Sequence, residues 1–252
     1  MAATTIDEVI SQLDEIIDWA QAQNSRLGYF PCLYRAVTVA VRDGIDEGRF
    51  ANGPQMETLD VRFANRYLEA FEDWQAGKNP TRVWQIAFEM SDWHGLSVMQ
   101  HLMLGMNAHI NLDLGIAAAE TAPGELLPDL KADFLEINRL LGEMVDEVQD
   151  QLGAISPGLR VLDRLGGRVD EGLARLGLRA ARSHAWWLAR RITSCDLPGQ
   201  NRCMDRADRR ALRIAYLILI PQSYLRRFLF WLNLRREPSP AHIIGVLRGD
   251  RS

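Results

Sequence analysis

The sequence predicts an all-α protein: a single-domain multi-helix bundle of about nine to ten helices around one central, polar-lined helix. Apolar residues recur at spacings of three and four along most of the chain, strand-like alternation is nearly absent, and short breaks marked by Pro and Gly separate the periodic stretches. A chain of 252 residues, 47% apolar and 25% charged, is also long enough to bury a full core and too hydrophobic to stay disordered.

The elements follow in order. Thr5 and Glu8 make a capping-box pattern at the start of a helix whose stripe is Ile6, Val9, Ile10, Leu13, Ile16 and Ile17. Pro31, a favoured first-turn residue, opens a second helix carrying Leu33, Val37, Val41 and Ile45 before Gly48. A third carries Leu59, Phe63, Tyr67, Ala70 and Trp74 and ends by Gly77. The spacing predicts further helices over 81–93, 96–120 and 129–152, the last with Phe134, Ile137, Leu141, Val145 and Val148 on one stripe. After Pro157 come two Arg-rich helices, 158–166 and 169–193, then 206–219 and, beyond Pro221, 224–234. No repeat or linker divides the chain, so one domain is expected over 1–252, with a core at 5–193 and basic amphipathic helices at 206–235.

Composition narrows the setting. The N-terminus is acidic and amphipathic, without the pattern of a secretion signal. Cys32, Cys195 and Cys203 form no CxxC pair and leave an odd count, so a reducing cytoplasm is expected. Residues 1–156 hold 10 Lys/Arg against 25 Asp/Glu, whereas residues 157–252 hold 19 against 8. Either the basic C-terminal helices pack on the acidic N-terminal ones, within the chain or across a homodimer, or they present a basic face to phosphate, nucleic acid or an anionic lipid surface. A nucleic-acid partner is not expected. The segment 206–235 is interrupted by Pro221 and too short on either side to span a bilayer, which leaves peripheral membrane contact or an ordinary core-covering role. No Rossmann, P-loop, HExxH or nucleophile-elbow motif occurs, and the paired ExxH ligands of di-iron bundles are missing.

The stretch 100–120 carries the functional signal. Its apolar content predicts burial, yet it holds Gln100, His101, Asn107, His109, Asn111 and Asp113. Leaving such groups buried without partners costs about 1–3 kcal/mol each. At 100° per residue, His109 and Asp113 share one face, about 6 Å apart, and Gln100, Asn107 and Asn111 share another. His101 lies about 12 Å along the axis from His109, too far for both to bind one metal ion. His109 and Asp113 fit either two ligands of a Zn, Mn or Fe ion, a base with its orienting carboxylate, or a satisfied buried network. Asp60, Glu69, Asp133 and His184 are the candidates for a third ligand. Gln100, Asn107 and Asn111 suit a polar substrate or inter-helix contacts. Arg35 and Arg66 are placed either to neutralise Asp113 or to clamp a substrate anion, and His184, beside Trp186 and Trp187, fits a pocket wall or an aromatic core.

The strings SRLGYFPCLYRAVTVAV, LDVRFANRYLEAF and above all QHLMLGMNAHINLDLGIAAA resemble a bacterial and fungal family of unknown function, over about residues 6–187. The chain matches that family at all six polar positions of the central helix, and the resemblance implies membership without an activity. GMNAHINLDL is also similar to the helix of all-α zinc phospholipases and nucleases in which a His and an Asp four residues on bind zinc, which would correspond to His109 and Asp113. Those enzymes need more histidines than His184 and His242 supply, so one or two ions are the most this chain would hold. The expectation is a metal-dependent, hydrolase-like enzyme acting on a small molecule, with His101, His109 and Asp113 catalytic and Asp60 a further ligand. The alternative is a non-catalytic helical module that binds a lipid or apolar metabolite.

Overall fold

The computed structural model describes residues 2–137, 139–140, 169–219 and 238–249, and it is helical throughout, without a strand among them. The helices are α1 Ile6–Ala22, α2 Tyr29–Asp46, α3 Gly53–Gln75, α4 Arg82–Glu89, α5 Val98–Ala108, α6 Leu114–Thr121, α7 Val169–Thr193, α8 Leu197–Leu219 and α9 Pro240–Arg248. A short π-helical turn, His109–Asp113, joins α5 to α6. Residues 131–137 and 139–140 belong to the helix expected at 129–152, whose stretch beyond 140 lies outside the described residues, as do the helices expected at 158–166 and 224–234.

Local signals set most boundaries. Thr5 caps α1 by accepting the Glu8 amide, while the Glu8 carboxylate turns back to Thr4 rather than to Thr5, so only half of the capping box forms. Ser97 and Gln100 complete a reciprocal box at the start of α5. α3 stops at Gln75, two residues before Gly77, whose φ of +70° an L side chain resists. Two caps come from distant elements. Asp208 on α8 accepts the Arg82 and Val83 amides at the start of α4, and Asp133 accepts those of Ala51 and Asn52 ahead of α3.

α6 is the centre of the bundle. Leu114 through Ala119 are all buried, and α3 and α7 pack on it from different sides. Close approach needs small residues there: a Cβ added to Gly115 would lie 2.7 Å from the Ala185 carbonyl oxygen of α7. α8 covers α4 and α5. A second apolar cluster, with Ile17, Tyr29, Cys32 and Leu102, takes Ile243, Ile244 and Leu247 of α9. α9 was absent from the sequence expectations, although Ser239 as cap, Pro240 in the first turn and Gly249 at φ +85° are ordinary helix punctuation. α8 also begins nine residues earlier than 206, where the Asp196 side chain accepts the Gly199 amide.

The charge asymmetry is resolved in part through α9. Arg248 binds Asp14 and Asp18, and Arg35 of α2 shares Asp14 at 2.7 Å. Among the described residues no helix is long and apolar enough to cross a membrane.

Replacing Gly115 by Ala should lower the melting temperature by several degrees, about 1–3 kcal/mol of overpacking against the Ala185 backbone. Gly177→Ala, where an added Cβ meets nothing within 4 Å, should instead be neutral or stabilising. Thermal melts of both variants check this; equal stability of Gly115→Ala and the parent would contradict the packing.

Candidate functional site

Five aromatic side chains from three helices enclose His109. α2 supplies Phe30 and Tyr34, α3 supplies Phe63 and Tyr67, and α4 supplies Trp84. In α2 and in α3 the two aromatics are four residues apart and therefore share a face. Phe63 lies flat on the imidazole with ring centroids 3.5 Å apart and planes 11° apart, while Tyr34 meets its edge at 4.4 Å and 72°. Phe30 reaches the ring over Gly105, where a Cβ would come within 2.5 Å of the Phe30 ring. Phe63 and Arg66 are half-buried; the other members of this box are buried.

The π turn sets the relation of His109 to Asp113. The Leu114 amide donates to the His109 carbonyl, five residues back, so the hydrogen-bonded ring spans one residue more than in the α-helix the spacing predicted. The predicted pairing survives: Nδ1 of His109 lies 3.3 Å from Oδ2 of Asp113. Asp113 is only 1% exposed, and three side chains hydrogen-bond its carboxylate, His109 among them. Trp84 Nε1 donates to Oδ2 at 2.8 Å, and Arg66 Nε donates to Oδ1 at 3.1 Å.

This arrangement fixes the protonation of His109. Burial drives its pKa down, the hydrogen bond to Asp113 opposes that, and the Arg66 charge adds to it; the net direction is down, so the imidazole is neutral at pH 7. Because Nδ1 faces a carboxylate, the proton sits on Nδ1, and Nε2 carries the lone pair. That Nε2 is buried without a partner. So are the Tyr34 hydroxyl and Oδ2 of Asp60, which lies one helical turn before Phe63. Tyr34 is held as a phenol, its pKa raised by burial and then by the charges of Asp60 and Asp113. Burial and the neighbouring Glu57 push Asp60 up to about 7.

The other expected residues lie elsewhere. His101 is buried edge-on to Tyr29 at 5.9 Å, with its pKa pushed down to about 4 by burial and by Arg26. Arg35 is engaged with Asp14, so Arg66 alone of the two arginines serves Asp113. Gln100 donates to the Ile218 carbonyl and Asn107 to the Ala211 carbonyl, both on α8, and Asn111 donates to Asn107. These carboxamides join the central helix to α8. His184 stacks on Trp187 and lines a cleft with residues of α8. Glu69 is exposed, and Asp133 is engaged as a cap.

Among the described residues no group of three or more His, Cys, Asp and Glu is gathered to hold a metal ion. Asp113 has both oxygens engaged, which leaves His109 Nε2 and Asp60 Oδ2 as the unpartnered acceptors of the three residues named as ligands. The sequence reading missed Tyr34 and Trp84. A signal existed: Trp84 places an indole N–H in an apolar helix face, and that donor needs an acceptor.

Asp60→Asn tests the burial of this carboxyl. With its folded-state pKa raised from 3.8 to about 7, the stability Asp60 contributes below pH 3.8 is lost as pH rises to about 7. The variant should therefore gain on the parent between pH 5 and pH 8 by about 3 kcal/mol, read as a widening difference in melting temperature. A difference independent of pH would contradict it.

No curated protein and no solved structure matches the chain. One family model matches residues 6–221, from the start of α1 past the end of α8, and so reaches further along the chain than the resemblance read from the sequence. The protein belongs to the family of unknown function DUF5995.

Proposed function

We propose that the protein is an enzyme in which His109, oriented by Asp113, is the acid–base group for a polar reaction, of the hydrolytic kind, on an apolar or aromatic small molecule. The observation that carries this reading is the unpartnered Nε2 of the buried imidazole, together with the unpartnered hydroxyl of Tyr34, whose ring meets the imidazole edge. A network kept only for stability would satisfy its members, since each orphan costs about 1–3 kcal/mol. Here Nε2 of His109, the Tyr34 hydroxyl and Oδ2 of Asp60 all lack partners.

The roles follow from the protonation states. Neutral Nε2 accepts a proton from water or from a substrate group, and the resulting imidazolium is stabilised by Asp113, whose charge Arg66 and Trp84 hold in place. Tyr34, a phenol at neutral pH, donates a hydrogen bond to developing negative charge. Aromatic walls favour an apolar substrate, and entry runs past Phe63 and Arg66, the members of the box that reach solvent. A divalent ion (Zn, Mn or Fe) is the second form of the same reading. It would sit on His109 Nε2 and Asp60, with Asp113 orienting the imidazole from behind.

A panel of carboxylic and phosphoric esters, assayed with the parent and with His109→Gln, Asp113→Asn and Tyr34→Phe, tests the proposal. His109→Gln, assayed below its own melting transition, should lower kcat/KM by about 10²–10⁴-fold, and Asp113→Asn should follow it. The acid limb of the pH profile should fall below the usual histidine range, because His109 holds its base form to lower pH. Turnover indifferent to His109→Gln would contradict the reading. Elemental analysis of the parent beside His109→Gln separates the two forms: metal lost with the imidazole supports the ion, and none in either supports the metal-free dyad.

A further inference from the structure

α7 and α8 pack on each other and line a cleft of about 440 Å³. Both helices line it with the same spacing of three and then four residues: His184, Trp187 and Arg191 from α7, and Cys203, Arg206 and Arg210 from α8. Among the described residues no carboxylate pairs with Arg191, Arg206 or Arg210. The reason is visible on α8. Its acids turn to the opposite side, where Asp205 and Asp208 bind Arg82 and Asp205 also binds Arg209, while Asp196 caps the first turn. Three guanidinium groups therefore line one cleft without a paired carboxylate among the described residues.

The other linings are equally particular. Nδ1 of His184 is buried without a partner, and burial together with Arg210 keeps its ring neutral. Trp187 lines the cleft and stacks on His184 with centroids 5.7 Å apart, yet is 55% exposed, so much of the indole is accessible. Planar forks of N–H donors match phosphate oxygens in bidentate pairs, and an open indole face matches a planar ring. A volume of about 440 Å³ falls in the range of small-molecule sites.

We propose that this cleft binds a phosphorylated small molecule of the nucleotide class, its phosphates held by Arg191, Arg206 and Arg210 and its base stacked on Trp187. The site shares no side chain with the His109 box, so it stands whether or not that box is catalytic.

Isothermal titration of the full chain with ATP and with inorganic pyrophosphate, at low salt, tests the proposal. Both should bind, ATP more tightly. Arg206→Gln and Arg210→Gln should each weaken both ligands by about ten-fold, whereas Arg209→Gln, on the outer face, should leave binding unchanged. Trp187→Ala should weaken ATP and spare pyrophosphate. ATP should also slow the alkylation of Cys203 by a maleimide, read by mass spectrometry. The arginines are exposed, so their replacement should leave the melting temperature in place. No heat at millimolar ATP or pyrophosphate would overturn the site. Equal loss in Arg209→Gln would overturn its location, and equal loss of both ligands in Trp187→Ala the stacked ring. Flotation on phosphatidylserine vesicles without binding of either soluble ligand would overturn the small-molecule assignment in favour of a lipid headgroup.

Discussion

A carboxylate with 1% exposure has to be answered from within the protein, and the groups that answer Asp113 come from different helices. Arg66 reaches it from α3, the Trp84 indole from α4 and His109 from the opposite end of the π turn. Removing any partner would leave a buried charge short of a hydrogen bond, so α3, α4 and the central helix are held in one register by a single side chain. The apolar packing of α6 supplies the surrounding dry environment, with Leu114 through Ala119 buried and α7 closing on Gly115. The same dryness strengthens the charge contacts and makes each unpartnered polar atom expensive.

Chemistry at His109 follows from that frame. The carboxylate holds the imidazole proton on Nδ1, and the aromatic box excludes water and lowers the basicity that the carboxylate would otherwise raise. Flat stacking on Phe63 and edge contact with Tyr34 fix the plane of the ring. What remains is an unpartnered Nε2; the hydroxyl of Tyr34, whose ring meets the imidazole edge, is unpartnered as well, as is Asp60 Oδ2 on α3. The carboxamides nearby behave differently: Gln100, Asn107 and Asn111 all have partners and tie the central helix to α8. Polar residues on one helix thus divide into a satisfied structural set and an unsatisfied set around the imidazole.

Much of this was legible in the chain itself. Stripes such as Ile6/Val9/Leu13/Ile17 and Leu59/Phe63/Tyr67 fixed helix type and inner face, since a period of 3.6 leaves few alternatives. The pairing of His109 with Asp113 followed from their spacing, and the choice of Arg66 over Arg35 did not, because both lie four residues or fewer from apolar stripe positions and only the tertiary packing sends Arg35 to Asp14. The π turn escaped because a uniform 100° per residue assumes an unbroken α-helix. Tyr34 and Trp84 escaped because an aromatic residue on an apolar face reads as core whether or not its polar atom meets a site. α9 escaped although its Ser-Pro start and Gly end were in plain view.

The central claim concerns the protonation of one ring, and nitrogen-15 NMR of the histidine side chains reads it directly. The account predicts a His109 resonance of the Nδ1-protonated neutral tautomer at pH 7, with Nε2 unprotonated, and a shift of that equilibrium in Asp113→Asn. A His109 ring that is charged at pH 7, or neutral with its proton on Nε2, would contradict it.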